Sequence, residues 1–321
     1  MCSGAPGPDY AASPMRALVI SNMYPSQAHP ALGSFVRDQV EALRRIPDVD
    51  VEALAFAPGG PAAYAHAAAE LRRRYGHDRF DVVHAHFGLT AWPALAAHGR
   101  RRAVTLHGTD LAHPRSRAIT LAALRRYDLP AVVSEPLAAE VPSWAVKRSP
   151  AVLPCGVDIH RFHPIARDEA RAKLGLDPHG PCLLFPADPA RPEKRYDRAT
   201  AAAGDVPLLA LGEVDPAEVP LWVNAANAVV VPSEREGFGL SVLEALACDV
   251  PVIATPVGIA PEALEGIAGA YCGAFDVTAW QEALAPHLAA IDPRIKGRDR
   301  AAGFSSDRMA ARVVAAWREL D

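Results

Sequence analysis

Residues 233–258 hold the side chains best suited to chemistry: Glu236-Gly237-Phe238-Gly239-Leu240-Ser241-Val242-Leu243-Glu244, with an apolar strand expected at 251–255. Two carboxylates, Glu236 and Glu244, bracket a glycine-containing loop that runs straight into a short helical segment. Such a loop and helix start aim backbone N–H groups at one point, which favours a bound anion such as a phosphate. One acid precedes the helix and one lies inside its first turns, a combination suited to a phosphorylated polyol, most simply a nucleotide sugar. The two acids are not equivalent. Ser241-Val242-Leu243-Glu244 fits a capping box, in which Glu244 serves only the helix start. Glu236 has no comparable structural duty, and Gly237 and Gly239 after it permit exposed N–H groups.

Other polar groups fall at the carboxyl ends of expected strands. His84 and His86 close one strand, on one face by alternation, with the His-x-His spacing of metal sites. No further His, Asp or Glu cluster completes a ligand set, so no metal is assigned, and structural capping of the strand end is the plainer reading for His84. His107, before Gly108, is better placed to offer a hydrogen bond to a ligand, with Asp110 orienting it or capping a helix. The first strand leads into a polar loop ending at Gly33, where the backbone can approach a ligand closely and Ser34 can cap the next helix. In the second half, Arg191 and Lys194 follow a strand end, where they are either cations for a diphosphate or solvated loop charges.

The elements that must position these groups alternate regularly. Apolar runs at 16–21, 49–55, 81–85, 103–106, 131–134 and 151–153 predict six strands, and those at 182–186, 207–211, 228–232, 251–255 and 270–272 predict five, separated by Ala/Leu/Arg-rich helical segments. Continuous apolar strands between helices imply parallel sheets covered on both faces. The expected fold class is therefore α/β, with two Rossmann-like doubly wound domains facing across a cleft and ligands bound beyond the strand ends. A break and hinge are expected near residues 162–167. The expected organisation is a disordered tail at 1–14, an N-terminal domain at 15–164, a C-terminal domain at 165–300 and a final helix at 301–321.

The chain has 321 residues, 50% hydrophobic and 22% charged, with a net charge of −4, which gives no whole-protein reason for nucleic-acid binding. Residues 71–126 nevertheless contain eleven Arg against three Asp, with no Lys or Glu. These arginines are read either as solvated helix ends and loops or as a basic surface for an anionic acceptor or a membrane. The five cysteines, Cys2, Cys155, Cys182, Cys248 and Cys272, are widely spaced and odd in number, so single thiols in a reducing compartment are expected. The first 14 residues lack the features of a signal peptide or anchor, and no stretch is long and apolar enough to span a bilayer. The expected location is the cytoplasm, peripheral to the inner face of the membrane if the arginines form a membrane surface.

Glu236 to Glu244 resembles the Glu-x7-Glu signature of retaining glycosyltransferases of family 4, which have the GT-B fold. The likeness continues in order through Tyr24-Pro25, Gly33-Ser34-Phe35-Val36, residues 81–87, His107-Gly108-Thr109-Asp110 and Val132-Val133-Ser134-Glu135. Pro154-Cys155-Gly156-Val157-Asp158, Arg191-Pro192-Glu193-Lys194, Asn224-Ala225-Ala226 and residues 251–258 extend it, and residues 304–320 are similar to the helix that crosses back onto the first domain. The resemblance implies sugar transfer from a nucleotide-diphosphate donor with retained configuration, no metal and no cofactor. The acceptor would be a glycan, a glycolipid or a small-molecule hydroxyl. It implies that Glu236 holds donor-sugar hydroxyls, Glu244 the ribose, and Gly237, Phe238, Gly239 and Leu240 the sugar and diphosphate. Lys194, aided by Arg191, would stabilise the leaving diphosphate, Gly33 would approach it from the other domain, and His107 would bind the donor sugar.

Three departures stand out: Asp188-Pro189 replaces the family's Gly-Arg before the lysine, Cys155 replaces its usual Asn, and the first domain is compact. Two other readings accompany the transferase: a GT-B-fold sugar isomerase or phosphorylase, and a catalytically silent sugar-nucleotide-binding protein.

Overall fold

A computed structural model describes residues 14–27, 29–212 and 214–320; the expected tail, up to residue 13, and Cys2 lie outside the described residues. The first sheet contains β1 (Met15–Ser21), β2 (Val49–Ala55), β3 (Phe80–His86), β4 (Gly99–Leu106), β5 (Leu129–Val132) and β6 (Ala151–Val152). Their order is β2-β1-β3-β4-β5-β6. The second contains β7 (Leu183–Phe185), β8 (Leu208–Ala210), β9 (Ala228–Val231), β10 (Val252–Ala254) and β11 (Tyr271–Cys272), in the order β11-β10-β9-β7-β8. Every neighbouring pair is parallel. This is the two-domain α/β architecture expected from the alternation of apolar runs and helices.

Alternation along each strand divides the core. Ala17 and Val19 face one side with Val36 and Val40 of the helix Ser34–Arg44, while Leu18 and Ile20 face the other. The first of these layers is completed from the far end of the chain. Met309, Val313 and Trp317, on the helix Ser306–Arg318, pack into it, and Arg45 pairs with Asp307 at 2.6 Å. In the second sheet Leu183 and Phe185 pack with Trp280 and Leu284 of the helix Val277–Ala289.

Several local expectations shift. β4 begins at Gly99, so Arg100, Arg101 and Arg102 lie on a strand and not on helix ends or loops, whereas Arg72, Arg73 and Arg74 do close the helix Pro61–Tyr75. β5 ends at Val132, and Ser134 becomes the N-cap of the helix Glu135–Ala139. The expected hinge is fastened: Arg298 donates to the carbonyls of Ile159, Phe162 and Ala247, and Arg294 to those of Ile165 and Cys248. Residues 159–165 are thus held to the second sheet's helices. Just before this segment Val157 pairs with Ser305 as a parallel bridge.

The returning helix also settles a histidine. The Trp317 indole, a donor only, gives its N–H to Nδ1 of buried His84 at 3.2 Å, so the ring proton of His84 sits on Nε2, 2.8 Å from Oγ1 of Thr105. Trp317→Phe leaves that buried nitrogen unpaired and is expected to destabilise by about 1–3 kcal/mol. Urea unfolding measures this, and an unchanged midpoint would contradict the assignment.

Candidate active site

Both sheets reverse strand order beside their first strand, β1 between β2 and β3, and β7 between β8 and β9. The loops leaving these strands diverge and open a crevice at the carboxyl edge of each sheet. The candidate residues come from these loops and their neighbours, and the two crevices meet.

From β9 comes Glu236, and from β7 comes Lys194. The ammonium lies 2.7 Å from both carboxylate oxygens of Glu236, and both side chains are largely enclosed, 15% and 8% exposed. Ser233 donates a third bond to Oε1 of Glu236 at 2.7 Å. The loop backbone is fixed separately: Glu234 N–H bonds to the Glu193 carbonyl at 2.9 Å, Ile259 N–H to that of Phe238 at 2.7 Å, and Thr255 Oγ1 to that of Ser233 at 2.6 Å.

The opposite wall is built from β3 and β4. His86 donates or accepts at 3.0 Å between its Nδ1 and Nε2 of His107, and its Nε2 lies 3.2 Å from the Gln39 amide nitrogen. With Gln39 donating, the His86 proton sits on Nδ1, and the His107 proton is left on its own Nδ1. Burial holds His84, His86 and His107 neutral, pushing His86 down to about 3. Neither His84 nor His86 is arranged as a ligand pair, and no group of three His, Cys, Asp or Glu among the described residues is placed to hold a metal. Asp110 orients the backbone and not the imidazole: it accepts N–H groups from Gly88, His107 and Gly108 at 2.9–3.2 Å.

The walls touch at Gly237. A Cβ there would stand 2.0 Å from the His107 carbonyl oxygen, so only glycine fits. Beside it, Ser134 uses its hydroxyl to reach the Gly237 carbonyl at 3.2 Å instead of capping its own helix. Ser134 had attracted notice only within a wider likeness, because a serine before a helix has a local duty as its default.

Glu244 lies on the helix Leu240–Ala247, whose N-cap is Gly239 in a left-handed conformation with no side-chain cap. Ser241 is already inside that helix, so the capping box does not form. The partly buried carboxyl makes no hydrogen bond or ion pair within the described residues. Desolvation pushes it up to about 7, with Arg161 pulling the other way. No sequence motif marks Arg161. It bonds to buried Asp38 at 2.8 Å, and with Arg37, Glu41, Asp158 and Asp215 it lines a cavity of about 510 Å³ between the domains.

Two other candidates are engaged within the chain itself. Gly33 is the N-cap of the helix Ser34–Arg44, displacing Ser34 from that role, and its φ of 67° and the Met23 backbone, 2.3 Å from where a Cβ would be, account for the glycine without a ligand. Arg191 turns to Glu193 at 2.6 Å and is half exposed.

Residues 18–161 match the pattern described as Glycosyltransferase Family 4, and residues 186–289 that described as Glycosyl transferases group 1. A D-inositol 3-phosphate glycosyltransferase of Actinosynnema mirum is 30% identical, the match covering 78% of this chain and 74% of that one. The chain belongs to glycosyltransferase family 4. A second relative of the same description, from Frankia alni, is 28% identical over 77% of each chain. Among solved structures, a sucrose-phosphate synthase from Thermosynechococcus elongatus superposes with a TM-score of 0.71 at 20% identity, covering 95% of this chain and 99% of that one. Anabaena HepE in complex with UDP and glucose gives 0.69 at 15% identity, over 95% and 100%. These likenesses carry the GT-B fold. The protein is a family 4 glycosyltransferase.

The raised Glu244 carboxyl has a measurable consequence. An acid held above its unfolded value retains its proton longer when folded, so folding stability falls as pH rises from the ordinary carboxyl value of 4.5 to about 7. A ligand hydroxyl donating to the ionised form binds better above that range. Affinity for a nucleotide sugar, whose diphosphodiester does not titrate near neutrality, should therefore rise as pH passes about 7. Calorimetry should show this dependence flattened in Glu244→Gln; an identical slope in the variant removes Glu244 from the binding site.

Proposed function

We propose that the protein transfers a sugar from a nucleoside-diphosphate sugar to an acceptor hydroxyl with retention of anomeric configuration. The enclosed Lys194–Glu236 pair at the junction of the two sheets carries this reading. It sets a hydrogen-bond acceptor for sugar hydroxyls beside a cation for a leaving diphosphate. The N–H groups of the loop from Gly237 to Leu240, which have no acceptor among the described residues, would supplement both.

In this scheme the bond from the sugar's anomeric carbon to the diphosphate breaks as the acceptor oxygen attacks from the same face. The departing phosphate oxygen takes the acceptor proton, and no side-chain nucleophile is required. Lys194 stabilises the charge that develops on the diphosphate, the type of fixed electrostatic contribution that dominates such reactions. Arg191 joins it only by exchanging Glu193 for the phosphate, and Gly33 contributes backbone at the opposite side. Neutral His107 donates from Nδ1 to the sugar, while Glu244 takes the ribose and the cavity beside Arg161 takes the nucleoside end.

The HepE complex with UDP and glucose supports UDP-sugars as the first donors to try, and the relatives described as D-inositol 3-phosphate glycosyltransferases support a polyol phosphate among the acceptors. A thermal-shift series with UDP-, GDP- and dTDP-sugars identifies the donor by its stabilisation of the folded state. The capture of Arg191 by Glu193 favours one second reading, a silent sugar-nucleotide binder. Nucleotide binding without turnover across an acceptor panel would establish it.

Glu236→Gln and Lys194→Gln should each lower kcat by about 100-fold or more. Each single change also leaves an enclosed charge without its partner, so both melt lower than wild type. The double variant, neutral on both sides, should regain stability without regaining activity. Full transfer by either single variant would sink the site assignment.

A further inference from the structure

The exposed face of the helix Pro114–Leu124 is an unusual surface for this acidic chain. Of the five large hydrophobic side chains exposed among the described residues, three gather on or beside it: Trp92, Ile119 and Trp144, at 37%, 46% and 62% exposure. Direct contacts join them. The Trp92 indole N–H donates to the Ile119 carbonyl at 3.1 Å, Arg126 lies over the Trp92 ring at 5.0 Å, and Arg125 bonds to the Trp144 carbonyl at 3.0 Å. With its one polar atom satisfied internally, Trp92 presents only ring surface to solvent.

Charge on this face is of one sign. Along the helix and its end, Arg115, Ala118, Ile119, Ala122, Arg125 and Arg126 are exposed, without a carboxylate between them. The neighbouring acids are engaged, Glu140 by Arg117 and Asp128 by Lys147, each at 3.7 Å. Arg115, Arg125, Arg126 and Arg148 have no carboxylate partner among the described residues. Apolar side chains at the centre with arginines around them match the two terms of interfacial binding, burial of hydrocarbon and attraction to anionic headgroups. A second copy of the chain fits poorly, because a two-fold contact would set arginines against arginines.

We propose that this face docks the protein onto an anionic lipid bilayer, with Trp92, Ile119 and Trp144 at the headgroup boundary. The helix starts just after the turn that holds His107, so the bilayer would lie beside the cleft between the sheets. The proposal is independent of donor identity and of the transfer reaction.

Co-sedimentation of the full chain with phosphatidylcholine vesicles, with and without phosphatidylglycerol, tests it. Binding is expected only with phosphatidylglycerol, weakening as salt is raised. The double change Arg125→Gln/Arg126→Gln should reduce partitioning about 25-fold, roughly fivefold per arginine, and Trp144→Ser should reduce it with an unchanged melting temperature. Absence of binding to the anionic vesicles at low salt overturns the proposal. Binding that persists undiminished in both variants does so too, by locating the contact elsewhere. A dimer seen by light scattering and abolished by Trp144→Ser would assign the face to a second copy instead.

Discussion

The Lys194–Glu236 ion pair is the constraint around which the second half of the chain is arranged. Enclosing two opposite charges is costly unless their geometry is close and the remaining lone pairs are satisfied. Here the ammonium is held by both carboxylate oxygens, with Ser233 completing Oε1. Neither residue can be moved without exposing the other to a large desolvation penalty. The parallel topology makes the pair possible, because β7 and β9 are adjacent and release their loops on the same edge. On the proposed function such a pair would be poised for exchange, a diphosphate replacing the carboxylate on Lys194 and a sugar hydroxyl replacing the ammonium on Glu236.

The first half supplies a surface shaped to meet that pair. Gly237 closes to the His107 carbonyl, Ser134 reaches across to the same glycine, and Gln39 and His86 fix which nitrogen of His107 carries a proton. The chain's last helix packs behind this wall and holds His84 through Trp317. One chain terminus thus buttresses the wall of the cleft, while Arg294 and Arg298 tie the linker to the opposite domain. The two passes of the chain between the domains pair with each other at Val157 and Ser305.

The strands of the two sheets were legible because each carries a short apolar run between helices, the central ones β3, β7, β9 and β10 largely buried on both faces, and Glu236 was legible because no local duty accounts for it. What escaped reading shares one property, distance along the chain. Ser134 bonds to Gly237, Arg161 to Asp38, and Gln39 to His86, and each residue alone fits a bland local role. The errors were local in origin. A capping box was read at Ser241 because the motif is short, whereas Gly239 starts the helix earlier. Likewise Gly33, and not Ser34, is the N-cap of the helix Ser34–Arg44.

The proposed function implies a division of labour, with Lys194 serving the diphosphate and Glu236 the sugar, and it makes the Glu236 carboxylate and the diphosphate competitors for Lys194. Titration calorimetry of Glu236→Gln with the preferred nucleoside diphosphate, with and without its sugar, tests that division most directly. The account predicts that the variant binds the bare diphosphate at least as well as wild type, because Lys194 is released. It should lose the added affinity due to the sugar by about tenfold or more, the scale of one lost charged hydrogen bond. Equal losses for both ligands would contradict it, since Glu236 would then be a structural support for the whole site and not the group that holds the sugar.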